Sequence, residues 1–192
     1  MGTETTPSEI AVTTTAIPSW RTDLVADPVR HHLPRIVGAV ERLAGPLPEV
    51  RIAVTGRIAG AWLATAAEAG AVGGFPLRTR IRAALATWRG ARHSAAMATC
   101  VLAADHVLVV VFAPALLGGS EDELIKTLGH ELIHAAQLHR PGRRASRLED
   151  LRANHQLVER PIADSYRAEA QVCLEEAEAH ELEPAILAAV RA

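Results

Sequence analysis

The sequence predicts a single α+β domain that is mostly helical and contains a small sheet, and three observations lead to that prediction. Long segments carry apolar residues at helical spacing, and only short β-branched runs separate them. Ala, Leu, Val and Ile supply most of the 49% hydrophobic content, a composition that favours closely packed helices. The 192 residues are enough for one domain with a real core, and the sequence shows no internal repeat.

Charge and cysteine content argue against several classes of protein. The net charge of −2 does not favour sequence-independent binding to the phosphates of nucleic acids. The aromatic content of 3% argues against a surface on which single-stranded bases stack. Cys100 and Cys173 make no disulfide framework and fit a reducing compartment. No apolar run reaches membrane-spanning length, and the N-terminus lacks a secretory signal pattern. We therefore expect a cytoplasmic protein without nucleic-acid or membrane partners, of undetermined oligomeric state.

The first half of the chain is predicted to alternate helices with short strands. Residues 1–22 are rich in Thr, Ser and Pro and are expected to form a flexible N-terminal tail, so the domain spans 23–192. Helical spacing from Pro28 onward predicts the first helix, which Gly45-Pro46 ends. The remaining predicted elements are a strand over 50–54, helices over 58–70 and 77–92, and a strand over 95–103.

The second half begins with the clearest strand signal, the short β-branched run 106–112. Ser120 and Glu123 then form a capping-box pattern directly before an apolar-periodic run. The helix that this box begins is predicted over 121–139. The rest is predicted as loop or loose helix over 143–160, a helix from Pro161 to about 181, and a short helix from Pro184.

The predicted helix 121–139 carries the segment His130-Glu131-Leu132-Ile133-His134, whose two histidines share one helical face. Two imidazoles placed in this way hold one Zn²⁺, and Glu131 lies one step around the helix, where it faces water rather than the metal. Zinc lowers the pKa of water to about 7, and a neighbouring carboxylate carries the proton to a leaving amine. The pattern predicts a zinc-dependent hydrolase. Its alternative is a helix in which both histidines are ordinary surface or core residues.

The segment from Leu128 to Gln137 resembles bacterial minimal zinc metallopeptidases, including the neutral zinc metallopeptidases and the ImmA/IrrE-like and SprT-like groups. The resemblance covers roughly residues 105–176, and the order of strand, glycine-containing loop and HExxH helix is that of many zincin catalytic domains. It implies a zincin-like active-site helix packed beside an edge strand. Strand 106–112 is then the candidate to pair with an extended peptide substrate.

The resemblance also implies a gluzincin-like site, in which a Glu on a later helix is the third metal ligand. Glu169 is the candidate, because its surroundings look like the corresponding segments of those families. The family's following Asp is absent, and Asp164 is the candidate partner of a ligand histidine. Tyr166 is a candidate donor to the developing oxyanion, with packing as its alternative role. The other residues considered as third ligand are His155, Glu159 and His139.

The sequence thus favours a zinc metallopeptidase with Glu131 as general base. One alternative is a zinc enzyme of a biosynthetic pathway that acts on a small molecule in the same cleft. The other is a non-catalytic zinc-binding regulatory domain, although a structural site would be expected to include a cysteine near the motif. The arginines at 140, 143, 144 and 147 are read as either a solvated stretch or a recognition surface for an acidic partner.

Overall fold

A computed structural model describes residues 10–14, 20–93 and 97–192 and has helices on both faces of a four-stranded mixed sheet. The predicted α+β class is confirmed. The strands are β1 (Ala11–Thr14), β2 (Val50–Thr55), β3 (Ala98–Leu102) and β4 (Val107–Phe112). The helices are α1 (Trp20–Leu43), α2 (Arg57–Ala71), α3 (Leu77–His93), α4 (Ala113–Leu116), α5 (Glu121–His139), α6 (Arg143–Asn154) and α7 (Ile162–Arg191).

The sheet has the strand order β1-β2-β4-β3, with β1, β2 and β4 parallel and β3 antiparallel to β4. All six residues of β4 are buried, because its apolar side chains face helical layers on both sides. The expectation that strand 106–112 is an edge strand is wrong, since β4 pairs along both of its sides. The edge strand beside α5 is β3.

Alternate residues of the central strands face two different helical layers. On one side, Ile52 and Val109 belong to the large core that includes α1, α5 and α7. On the other side, Val110 and Phe112 pack in a smaller core with Ala64 of α2 and with α3. This arrangement places α5 over one face of the sheet, where β3 can border it.

Helix α2 approaches its face of the sheet most closely at Gly60. A Cβ atom added there would lie 2.7 Å from Phe112 Cε1, 2.8 Å from Thr55 Cγ2 and 2.9 Å from Val110 Cγ1. Such distances require the helix or the strands to shift, so only glycine fits this contact.

We expect Gly60→Ala to lower the free energy of unfolding by about 1–3 kcal/mol, the usual effect of overpacking a core. Gly70→Ala is the matched control, because an added methyl at this second glycine of α2 meets no atom within 4 Å. It should be neutral or stabilising by up to about 1 kcal/mol. Denaturant titration of both variants measures the difference, and equal stabilities would contradict the close approach.

The amino-terminal part differs from the sequence prediction in two ways. Residues 11–14, expected to belong to a flexible tail, form β1 and pair with β2 from Ala11↔Arg51 to Thr14↔Val54. Residues 1–9 and 15–19 lie outside the described residues. Helix α1 begins at Trp20 and continues through two prolines, so the start predicted at Pro28 is too late. A pairing with a distant strand, as in β1, leaves no local signal in the sequence.

The carboxy-terminal part is more helical than predicted. Residues 143–154 form α6, in the segment expected to be loop or loose helix. Helix α7 runs without a break through Pro184, where a second helix was expected to start. Pro184 has no backbone N–H and therefore makes no hydrogen bond to the carbonyl of His180, four residues earlier. His180 is an exposed residue, so water can take the place of this bond. Among the described helices, none has the length and apolar character needed to cross a membrane.

Candidate metal centre

Helix α5 begins at the capping box that the sequence predicts. The Ser120 hydroxyl accepts the backbone N–H of Glu123 at 3.2 Å, and the Glu123 carboxylate accepts the backbone N–H of Ser120 at 2.7 Å. These bonds satisfy two amides of the first helical turn and fix where the helix starts. About three and four turns later, His130 and His134 are partly exposed on the face that borders the cleft.

Helix α7 crosses α5 closely at Gly129, the residue directly before the first histidine. A Cβ added at Gly129 would lie 3.0 Å from Cγ2 of Ile186, whose side chain is completely buried. The absence of a side chain therefore lets the two helices approach each other at this point. As a consequence, the acidic side chains Glu176 and Glu183 of α7 reach the two histidines of α5.

Three side chains converge at the centre of this site. The Nε2 atoms of His130 and His134 are 3.0 Å apart. Glu176 Oε2 lies 3.4 Å from His130 Nε2, and Glu176 Oε1 lies 3.3 Å from His134 Nε2. Ligand atoms at about 2.0–2.1 Å from a tetrahedral Zn²⁺ are about 3.3–3.4 Å from one another. The residues present therefore fit three corners of such a site.

The tautomer of His134 is fixed by Gln137, one turn further along α5. His134 Nδ1 lies 2.7 Å from Gln137 Oε1. The orientation of this amide follows from its other end, because Gln137 Nε2 donates to the backbone carbonyl of Glu175 at 2.9 Å and to Glu178 Oε2 at 3.0 Å. His134 Nδ1 is consequently the protonated donor, and its Nε2 carries a lone pair.

The tautomer of His130 is fixed by Glu183 of α7. His130 Nδ1 lies 2.9 Å from Glu183 Oε1, and a carboxylate can only accept this hydrogen bond. Glu183 is itself held by His180 at 2.8 Å. The centre thus contains two imidazole lone pairs and the Glu176 carboxylate directed at one point. Such a set of acceptors favours the binding of a cation. Metal-binding histidines usually have a hydrogen-bond partner on the ring nitrogen that does not face the metal, as both histidines do here.

Glu131 lines the same cleft as this centre, and its residue is only 9% exposed. Burial, and to a smaller extent the nearby Glu176 carboxylate, raise the pKa of Glu131 to about 8, and the backbone N–H of Cys100 opposes the shift. Burial also lowers the pKa of His134, which favours the neutral imidazole that binds metals. Burial, followed by the charge of Glu131, raises the pKa of the Cys100 thiol, so this cysteine is neutral at neutral pH.

The edge strand β3 forms the opposite wall of the cleft. Hydrogen bonds join Phe112 N to Met97 O at 2.8 Å and Ala103 N to His106 O at 3.0 Å. In an antiparallel ladder the inward and outward positions alternate, so the main-chain groups of Ala98 and Cys100 point to the free edge. Both residues line a cleft of about 310 Å³ that also contains His130, Glu131, His134 and Glu176.

The structure does not bring the predicted third ligand to the two histidines. Glu169 is exposed and is not among the residues that line the cleft. Glu176, two turns later on the same face of α7, lies where Glu169 was expected. Tyr166 is 66% exposed and lies outside the cleft lining, so this geometry gives it no contact with a reacting group.

The other residues that the sequence suggested are engaged elsewhere. His155 packs against Phe75 at a ring distance of 4.3 Å. Glu159 lines a separate pocket, and His139 is exposed at the last turn of α5. Asp164 pairs with Arg167 rather than with a histidine of the site. The sequence reasoning missed Glu176, Glu183 and Gln137; only Gln137 had a local signal, its position three residues after His134 on the same helix.

No family model, no curated protein and no solved structure matches this chain.

In the metal-free protein we expect Glu131 to make the stability depend on pH. Its pKa is about 8 when folded against 4.5 for the free side chain, so between these values the folded state holds a proton that the unfolded state has lost. This contribution is fully present below about pH 4.5. It is lost as the pH rises towards 8, by at most about 1.4 kcal/mol per pH unit.

Glu131→Gln isolates this contribution, because the amide does not titrate. The advantage of the variant over wild type in the free energy of unfolding should grow from about pH 5 to about pH 8 and then stay constant. Denaturant titrations in the presence of a chelator measure it. A difference that is independent of pH would contradict the burial of a protonated Glu131.

Proposed function

We propose that this protein is a zinc-dependent hydrolase, and specifically a metallopeptidase of zincin-like arrangement with α5 beside the edge strand β3. The observation that supports it most strongly is the convergence of His130 Nε2, His134 Nε2 and the Glu176 carboxylate, with Glu131 beside them in the cleft. Three protein ligands that border an open cleft are typical of catalytic zinc, whereas structural zinc is enclosed by four. The two free cysteines agree with a cytoplasmic location.

The proposed reaction assigns separate tasks to these residues. His130, His134 and Glu176 would hold the zinc ion, which would supply the Lewis acidity that lowers the pKa of water and polarises a carbonyl group. Glu131 takes the proton of the attacking water and later delivers it to the leaving amine nitrogen. The Cys100 N–H holds the Glu131 carboxyl group in place for both transfers.

The edge strand favours a peptide as the substrate. At Ala98 the main-chain N–H and C=O both point to the free edge, and at Cys100 the C=O does so while its N–H is bound to Glu131. An extended peptide can pair with these groups, which is a common mode of peptide binding. The peptide would then lie along the β3 wall of the cleft, opposite the histidines.

A second candidate is a zinc enzyme that acts on a small molecule, as in a biosynthetic pathway. The observation that favours it is the size of the cleft, because about 310 Å³ is near the lower end of the range for small-ligand pockets.

The test is incubation of zinc-loaded protein with a mixture of short peptides, followed by mass spectrometry of the products. Cleavage by wild type that is absent in His134→Ala would support the metallopeptidase. Bound zinc without any peptide cleavage, together with hydrolysis of small amides or esters, would favour the second candidate. Failure to bind zinc would contradict both.

A further inference from the structure

The cleft contains one cationic side chain that the metal centre does not use. Arg147 lies on α6, is half-buried and lines the cleft beside Cys100 and Glu131. Within the described part of the chain, no hydrogen bond or ion pair is found for its guanidinium group. Its charge is near enough to Cys100 to oppose the rise in the pKa of that thiol, which places the guanidinium towards β3.

The neighbouring arginines of α6 differ from Arg147, because each has a partner. Arg143 pairs with Glu175 at 2.6 Å, and Arg144 donates to the backbone carbonyls of Ala103 at 2.6 Å and Ala104 at 2.8 Å. A guanidinium carries five N–H donors in a fixed fork, and removing it from water without an acceptor is unfavourable. Arg147 is thus left as a donor that points into the cleft.

The carboxylates of the cleft are already engaged and do not neutralise Arg147. Glu175 is paired with Arg143, and Glu176 faces the two histidines. Glu131 is buried and accepts the Cys100 N–H. With a divalent cation at the histidines, the charge balance of this cleft favours an anionic ligand. The group that best matches a planar guanidinium fork is a carboxylate.

We propose that Arg147 is a specificity-determining residue that binds a carboxylate of a peptide substrate. The position of this carboxylate relative to the cleaved bond rests on the proposed function. The recognition itself does not, because the charge of Arg147 is independent of the metal. The carboxylate belongs either to an Asp or Glu side chain or to the C-terminus of the peptide.

Binding of fluorescently labelled short peptides, measured by anisotropy, tests this inference. The reference probe has an amide-capped C-terminus and one Asn; the second probe replaces Asn with Asp, and the third keeps Asn but has a free C-terminal carboxylate. Each probe is titrated into zinc-loaded Glu131→Gln, which we expect not to cleave it, and into zinc-free wild type. We expect one of the two carboxylate probes to bind about ten- to a hundredfold more tightly than the reference.

Variants of Arg147 assign the preference to this side chain. Arg147→Gln should abolish the difference between the probes, and Arg147→Lys should restore part of it, which also shows that the site still folds. Arg152→Gln, an exposed arginine on the same helix, should leave the preference intact. Arg147→Glu should reverse it in favour of a peptide with Lys in place of Asp.

The outcomes separate this inference from the proposed function. Equal binding of all three probes, no binding of any probe, or a preference that survives in Arg147→Gln would overturn the role of Arg147. A carboxylate preference that depends on Arg147 in a protein unable to hold zinc would support the subsite and contradict the hydrolase.

Discussion

At the proposed zinc site, Glu176→Gln is expected to fail to hold zinc, while Glu169→Gln is expected to bind about one zinc ion per chain. The Glu176 carboxylate lies within 3.4 Å of both imidazole Nε2 atoms, and the neutral amide that replaces it is a poor ligand. Glu169 is exposed on the same helix and offers the matched change of charge. We expect the affinity of Glu176→Gln for zinc to fall by more than about a hundredfold, a larger loss than removal of an outer partner causes.

Competition with a chromophoric chelator measures these affinities, and His134→Ala calibrates the loss of a direct ligand. The opposite result, zinc lost in Glu169→Gln and kept in Glu176→Gln, would mean that α7 is displaced by two turns along α5. Zinc kept in both variants would exclude Glu169 and Glu176 as the third ligand and would leave His180 and Glu183, the other α7 side chains near His130, as candidates.

The choice between these two glutamates marks the limit of what the sequence could predict about the site. The HExxH helix and its cap were predictable, because the i,i+4 spacing of His130 and His134 and the Ser120–Glu123 box are local features. Glu169 and Glu176 are separated by two turns, so both lie on the same helical face and periodicity cannot distinguish them. The contact between Gly129 and Ile186 sets the register of the two helices, and it is a tertiary contact.

The edge-strand prediction failed for a related reason. The run 106–112 is apolar at nearly every position, a pattern typical of a central strand covered on both faces, whereas its assignment as an edge rested on the order of elements in the families that the chain resembles. Among the described strands, β3 pairs only with β4 and is therefore the edge strand beside α5, and pairing partners are not encoded locally. The outer partners of the histidines were equally inaccessible where they come from α7, as Glu183 does.

Glu131→Gln is expected to keep its zinc and to lose turnover by about 10²–10⁴-fold, with the loss in kcat rather than in KM. Glutamine has nearly the same shape as glutamate, and its amide oxygen can still accept the N–H of Cys100. It cannot, however, take the proton from water or return it to the leaving amine. Steady-state kinetics on a peptide that wild type cleaves, together with metal analysis of the same samples, measures both properties.

The stability of the same variant strengthens this test. A variant that is inactive because it unfolds would be less stable than wild type, whereas we expect Glu131→Gln to be more stable. Removing a buried ionisable group whose pKa is about 8 should make metal-free Glu131→Gln more stable than wild type above neutral pH. An inactive, zinc-loaded and more stable protein is therefore the combined result that assigns Glu131 to proton transfer. Glu149→Gln, an exposed change on α6, should leave all three properties unchanged. Full turnover in Glu131→Gln would remove Glu131 from the mechanism, and loss of zinc would instead give it a structural role at the metal centre.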